Sequence, residues 1–185
     1  MIDVNQLRRG TIYLDDGDLL KVLTYSHNKT ARGSGNVRVS VRNLRTGATV
    51  EKTYNTGSRV QDVRLEAVEM EYLYEDGEFL SFMDNETFEQ PQINREIFGD
   101  DVYYLKAGTV IKLLRYNGEL IDYELPSTMD FEVIEAENAV AGDRANNPTK
   151  KVTTDTGLVV TVPMFVNEGD TIRVKTEDGT YQTRV

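Results

Sequence analysis

The chain contains no cysteine and a single histidine, His27. The first absence excludes disulfides and thiolate metal sites, and removes any sign of an oxidising compartment. The second leaves Ser-His-Asp triads and histidine-based metal centres with almost nothing to build on. Long apolar runs are also missing. No stretch approaches the length of a membrane span, and Met1-Ile-Asp-Val-Asn-Gln-Leu-Arg-Arg9 lacks an apolar signal core. The expectation is a cytoplasmic protein with no membrane partner, metal or cofactor. Asn28-Lys-Thr30 and Asn85-Glu-Thr87 match the glycosylation pattern but carry no weight without a secretory signal. Gly33-Ser-Gly35 is followed by neither a Lys-Ser/Thr pair nor a helix, so it is not a phosphate cradle.

What the chain does have is turns. Asp15-Asp-Gly17, Arg45-Thr-Gly47, Asp76-Gly77, Asn117-Gly118, Asp155-Thr-Gly157, Glu168-Gly169 and Asp178-Gly179 punctuate it, with short apolar runs such as Val110-Ile-Lys-Leu-Leu and Leu158-Val-Val-Thr-Val between them. This rhythm predicts an all-β chain of hairpins, most stable as small closed barrels. Helix is confined to a short piece at Ile93–Phe98 or just beyond, and a turn at Val4–Leu7. With 185 residues, two or three small domains fit. Asn55-Thr-Gly57-Ser ends the first and a fresh strand begins near Val63, while Leu125-Pro126-Ser127 ends the second. The expected domains are 1–63, 64–127 and 128–185. Domains two and three match in length and turn density without an obvious residue-level repeat.

The segment Lys29-Thr-Ala-Arg32-Gly33-Ser-Gly35-Asn-Val-Arg-Val39 is the most informative. Upstream lies Leu19-Leu-Lys-Val-Leu-Thr-Tyr25; downstream Val37-Arg-Val39-Ser-Val41-Arg alternates with period two, one face buried and one wet. Gly33 and Gly35 allow positive φ, and Ser34 and Asn36 suit turns, so a hairpin reversal is expected here. Arg32 then sits at the tip, a long cation suited to a pocket on a larger partner. An ordinary solvated hairpin is the alternative. His27, beside it, is expected to pack or hydrogen-bond locally.

Charge is unevenly spread. Residues 1–63 hold 10 Lys/Arg and 6 Asp/Glu, net +4; residues 64–127 hold 5 and 15, net −10; residues 128–185 hold 6 and 10, net −4. A basic head on an acidic body can meet phosphate locally while avoiding indiscriminate RNA binding, and the acidic body alone can equally be a solubilising surface. Glu66-Ala-Val-Glu69-Met-Glu71 and Glu75-Asp-Gly-Glu78 offer carboxylates for a glycosidase pair, yet alternation with apolar residues is what a solvated strand face shows. Tyr72, Tyr74, Tyr103 and Tyr104 lie in strand-like apolar contexts and are expected in core or rim packing.

Several of these segments resemble bacterial elongation factor P over essentially the full chain. The loop around Arg32 is similar to that family's Lys-Pro-Gly-(Lys/Arg)-Gly tip. Leu44-Arg-Thr-Gly-Ala-Thr-Val-Glu-Lys-Thr53 looks like the strand pair closing its first domain. Tyr72-Leu-Tyr-Glu-Asp-Gly-Glu-Phe and Phe82-Met-Asp-Asn-Glu-Thr-Phe-Glu-Gln90 are like its second-domain hallmarks. Gly157-Leu-Val-Val-Thr-Val-Pro163-Met-Phe-Val-Asn-Glu-Gly169 and Gly179-Thr-Tyr181-Gln-Thr-Arg184 match its third-domain signature and tail.

The resemblance implies three barrels in an L shape, an SH3-like (KOW-type) domain followed by two OB folds. It implies a monomeric, non-enzymatic factor that binds the ribosome beside the P-site peptidyl-tRNA and speeds peptide-bond formation at consecutive prolines. It places Arg32 at the peptidyl-transferase-facing tip, within a loop of Lys29, Thr30, Ala31, Gly33 and Ser34, and open to a modifying enzyme. It places Arg38, Arg42, Arg144, Lys150, Lys151, Tyr181 and Arg184 as tRNA or ribosome contacts. A guanidinium stays charged and suits RNA phosphate and base faces, and a body that orients a tRNA can recover the rate lost with proline as nucleophile.

The sequence also departs from the pattern. Thr30-Ala31 stands where the family has Pro-Gly, and Arg32 excludes lysine-type modification, leaving rhamnose or none. Arg144-Ala-Asn-Asn-Pro-Thr-Lys-Lys-Val152 replaces a glycine-rich segment, Val152 stands for alanine, and Asn138-Ala139 for Pro-Gly. An elongation factor P-like paralogue with different stalling targets therefore stands beside the main reading. A general OB-fold binder of single strands is a further alternative, which the middle segment's charge opposes.

Overall fold

The computed structural model describes residues 1–28, 35–138 and 148–185, and the fold is all-β. The first sheet contains β1 (Ile2–Asp3), β2 (Ile12–Asp15), β3 (Asp18–Asn28), β4 (Asn36–Asn43), β5 (Thr49–Asn55) and β6 (Arg59–Asp62), in the order β1-β6-β2-β3-β4-β5. Alternation on β4 buries Val37, Val39 and Val41 and turns Arg38, Ser40 and Arg42 outward, as the period-two pattern requires. The valines meet Val4, Leu7, Tyr13, Leu20, Val22 and Val60 in one core. Val4 comes from a short 3-10 turn, Val4–Gln6, capped by the Asp3 carboxylate on the Asn5 N–H at 2.8 Å.

A second sheet contains β7 (Glu66–Asp76), β8 (Phe79–Asp84), β9 (Gln92–Asn94), β10 (Val110–Tyr116) and β11 (Glu119–Glu124), in the order β11-β10-β7-β8-β9. The third contains β12 (Thr128–Ala136), β13 (Thr149–Thr154), β14 (Val159–Pro163), β15 (Thr171–Lys175) and β16 (Tyr181–Arg184), in the order β14-β13-β12-β15-β16. Numbered from its own first strand, each reads 5-4-1-2-3 from one edge. The repeat invisible in the residues is therefore present in the topology, that of the five-stranded OB fold. Helix is limited to α1 (Arg95–Phe98), which the Asn94 side chain caps through the Glu96 N–H at 2.8 Å, and a 3-10 segment, Gly99–Tyr104.

Two expectations need correction. Gly57-Ser58 does not end the first sheet: β6 follows it and inserts between β1 and β2, and the next strand begins at Glu66 rather than near Val63. Tyr103 and Tyr104 are not in a strand. They end the 3-10 segment, which exposes Tyr103 at 41% and sends Tyr104 into the third sheet's core against Phe131, at 6.1 Å between ring centroids. Tyr74 is exposed as well, beside a bulge that shifts the β7–β8 register between Tyr72 and Tyr74.

By packing, the chain forms two compact units, residues 1–68 with 113–122 and residues 69–112 with 123–185. In the first unit, Leu114 and Ile121 join Ile12, Leu19 and Leu44 in a cluster flanked by Leu14, Val63, Leu65 and Tyr116. The Lys21 ammonium donates to Asp122 at 2.6 Å beside it. In the second unit, Tyr72 meets Phe82 at a tilt, and Phe82, Phe98 and Tyr123 stack in series, the last pair at 3.9 Å between centroids. No helix among the described residues is long and apolar enough to cross a membrane.

Candidate functional site

β3 and β4 pair antiparallel from Leu20↔Asn43 to Asn28↔Asn36, and β5 extends the ladder to Asn36↔Asn55. Strand pairing thus continues up to the residues that flank the 29–34 segment. Lys29, Thr30, Ala31, Arg32, Gly33 and Ser34 themselves lie outside the described residues. A bulge between Val22 and Thr24 keeps Tyr25 opposite Val39 and the outward residues aligned in rows: Lys21, Arg42 and Thr49; Thr24, Ser40 and Glu51; Ser26, Arg38 and Thr53. Hydroxyls and guanidinium groups on one open face are the donors that suit phosphate oxygens. Arg38 is exposed, whereas Arg42 is half-buried in the row of Lys21.

The end of this ladder is fixed by close packing. Gly35 does not take the left-handed conformation that its place in a turn suggested; what it supplies is space. A Cβ there would lie 2.9 Å from the Asn28 carbonyl oxygen, 3.0 Å from Thr56 Oγ1 and 3.2 Å from His27 Nε2. The Thr56 N–H donates to the Gly35 carbonyl at 2.9 Å, and Thr56 Oγ1 lies 3.5 Å from His27 Nε2. His27 is local structure, as expected.

Across the sheet's inner face, Tyr54 Oη donates to Asp15 Oδ2 at 2.8 Å, Lys52 Nζ donates to the same oxygen at 2.6 Å, and Tyr13 Oη lies 2.9 Å from Tyr54 Oη. β2 and β5 are not neighbours in the sheet, so this network ties the curled edge back. Burial alone would raise the Asp15 carboxyl, but hydrogen bonds from Lys52 and Tyr54 and the Lys52 charge hold it below its ordinary value. Burial, with the hydrogen bonds to Tyr13 and Asp15, pushes the Tyr54 hydroxyl far above its own. Sequence reasoning missed this network. It also missed Arg8, whose guanidinium lies 5.1 Å from the Tyr25 ring centroid.

In the third sheet the expected residues separate. Arg144 lies outside the described residues. Lys151 is exposed opposite Thr161. Tyr181 packs its ring partly against the core. Arg184 pairs with Asp170 at 3.4 Å and lies 5.4 Å from the centroid of Phe165, which is 56% exposed. The Asn167 N–H first, then Arg184 and Lys150, hold the Asp170 carboxyl below its ordinary value. Of the expected cations, Arg184 is the one held by a described ion pair, with Asp170. Phe165 was overlooked although it stands in the quoted Pro163-Met-Phe run.

Three β modules in series, the first carrying a long antiparallel ladder and the others sharing the OB strand order, define a class: proteins built of small β-barrels in tandem. Family models agree module by module. The elongation factor P (EF-P) KOW-like domain matches residues 3–60, the EF-P OB domain residues 65–123, and the elongation factor P C-terminal domain residues 129–184. The chain belongs to the elongation factor P family, whose members are translation factors rather than enzymes, and membership implies association with the ribosome. Among solved structures, it is similar to eukaryotic translation initiation factor 5A from Methanococcus jannaschii, at 19% identity and a TM-score of 0.51, over 66% of this chain and 89% of that one. A translation initiation factor eif-5a family protein from Naegleria fowleri matches at 14% identity and a TM-score of 0.42, over 67% and 96%. The first of these likenesses speaks to fold alone.

Proposed function

We propose that this chain binds the ribosome beside the P-site peptidyl-tRNA and stimulates peptide-bond formation at polyproline stalls. In this reading Arg32 is the residue presented to the peptidyl-transferase centre, within the loop of Lys29, Thr30, Ala31, Gly33 and Ser34. The factor acts as a cytoplasmic monomer of domains 1–63, 64–127 and 128–185, with Arg38, Arg42, Arg144, Lys150, Lys151, Tyr181 and Arg184 as RNA contacts. Arg32 is the site at which a modifying enzyme would act. The observation that carries the reading is the β3–β4–β5 ladder, paired up to Asn28↔Asn36 with Arg38 on its open face. In this reading the paired ladder carries the Arg32 loop, and positioning is what a factor without covalent chemistry can contribute. Tri-proline synthesis in a purified translation system lacking any such factor tests it. Faster synthesis on adding the chain supports the reading, and no change refutes it.

A paralogue with different stalling targets is favoured by one set of observations: Thr30-Ala31 in the loop and the glycine-poor Arg144–Val152 segment. Scanning stall motifs in the same system separates the two. A general single-strand binder is disfavoured by the charge of β7, where Glu66, Glu69 and Glu75 are exposed.

A further inference from the structure

Three non-glycine residues among those described have positive φ: Asp16 at 51°, Asn117 at 49° and Phe88 at 59°. Aspartate and asparagine visit this region readily, whereas for a bulky aromatic it is an outlier. Phe88 is also 72% exposed, so no core contact offsets its conformation. The turn that holds it is rigidly framed. The Asp84 N–H donates to the Glu89 carbonyl at 2.9 Å, and the Phe88 N–H donates to the Asp84 carbonyl at 2.8 Å. The buried Asp84 carboxylate accepts from the Glu86 and Thr87 N–H groups at 2.8 and 3.1 Å. Glycine or asparagine would close the same loop without strain and without displaying a ring to water. An unfavourable conformation that displays an apolar side chain points to a use for that side chain.

We infer that Phe88 is a docking anchor that inserts into an apolar pocket of a protein partner whose rim is lysine- and arginine-rich. The charge on the page selects this occupant. Asp84-Asn-Glu-Thr-Phe-Glu-Gln90 contains three carboxylates and no cation, and residues 64–127 carry 15 Asp/Glu against 5 Lys/Arg. Phosphate-bearing RNA and anionic membrane surfaces are repelled by such a surround, and a second copy of this acidic chain is a poor match. An aromatic plug flanked by the exposed Glu86 and Glu89 fits the complementary protein pocket, where buried aromatic anchors supply most of the binding energy. The inference rests on the ribosome-binding reading, because the partner is then a protein of the ribosome.

The test uses purified 70S ribosomes and the full chain. Phe88→Gly and Phe88→Asn should bind ribosomes at least about tenfold more weakly than wild type, with a melting temperature equal to or above it, because both relieve the backbone. Unchanged affinity in both, or a melting temperature lowered enough to account for the loss, overturns the anchor. With p-benzoylphenylalanine at position 88, crosslinking should reach a ribosomal protein; crosslinks confined to ribosomal RNA, to a second copy, or to nothing overturn it. Wild-type co-sedimentation keeps the two claims apart. If wild type does not bind, the ribosome reading fails and takes the anchor with it. If wild type binds and the variants match it, the anchor alone fails.

Discussion

Lys21→Met isolates the charge of a largely buried ion pair in the first compact unit. The Lys21 ammonium sits 2.6 Å from the Asp122 carboxylate, with side-chain exposures of 30% and 6%. Methionine keeps most of the lysine stem's packing, so the change isolates the charge. An exposed pair would contribute about 0–1 kcal/mol, whereas stripping one partner from a buried pair costs about 3–5 kcal/mol because the other charge is left without compensation. Here the carboxylate is dry and the amine partly wet, so the cost falls between those limits, at about 2–3 kcal/mol. For a chain of this size that corresponds to a fall in Tm of roughly 4–12 °C. Asp122→Leu in the Lys21→Met background should recover much of the loss, since two apolar side chains leave no unpaired charge in the Leu114–Ile121 cluster. Calorimetric melting of the two single variants and the double variant is the assay. If Lys21→Met melts within about 1 °C of wild type, or if the double variant loses the sum of both singles, the pair is not the buried fastener argued here.

Three further outcomes follow from the geometry. Tyr54→Phe removes the donor to Asp15 and should cost about 1.5–3 kcal/mol, the range for a hydrogen bond to a charged group; because the Tyr13 and Tyr54 hydroxyls are raised, wild-type stability should hold below about pH 10 and fall above it, and the variant's alkaline decline, read by melting across pH, should be shallower. Arg38→Ala should lower ribosome affinity and reduce the steepness of its salt dependence, measured across a salt series, since Arg38 is exposed on the ladder's open face; an unaltered salt slope would remove that face from the RNA contacts. Arg184→Ala should leave the melting temperature almost unchanged but weaken ribosome binding more than Lys151→Ala does, because Arg184 is held between Asp170 and Phe165 and is already ordered; the reverse ranking would make Lys151 the principal cation.

Local regularities in the sequence predicted local structure well. Val37, Val39 and Val41 announced a buried face by alternation alone, and every one is buried. The short helix expected at Ile93–Phe98 formed as Arg95–Phe98, with Ile93 in the preceding strand, and the turn expected at Val4–Leu7 formed as Val4–Gln6. What could not be read were contacts between distant residues, which leave no periodic trace. Lys21 meets Asp122 across 101 positions, and Tyr104 leaves its own sheet's segment to fill the core beside Phe131. Gly35 has the place of a turn glycine in the sequence, but the crowding that requires it comes from Asn28 and His27 of β3 and from Thr56 just after β5. The left-handed Phe88 defied its residue type, because nothing in phenylalanine's preferences announces that conformation.

The most direct test of the account is tri-proline synthesis with wild type and Arg32→Ala side by side, together with their melting temperatures. The account predicts equal melting and a variant that no longer accelerates synthesis, because the paired arms flanking residues 29–34 remain intact while the side chain they present is gone. Full acceleration by the variant would contradict it.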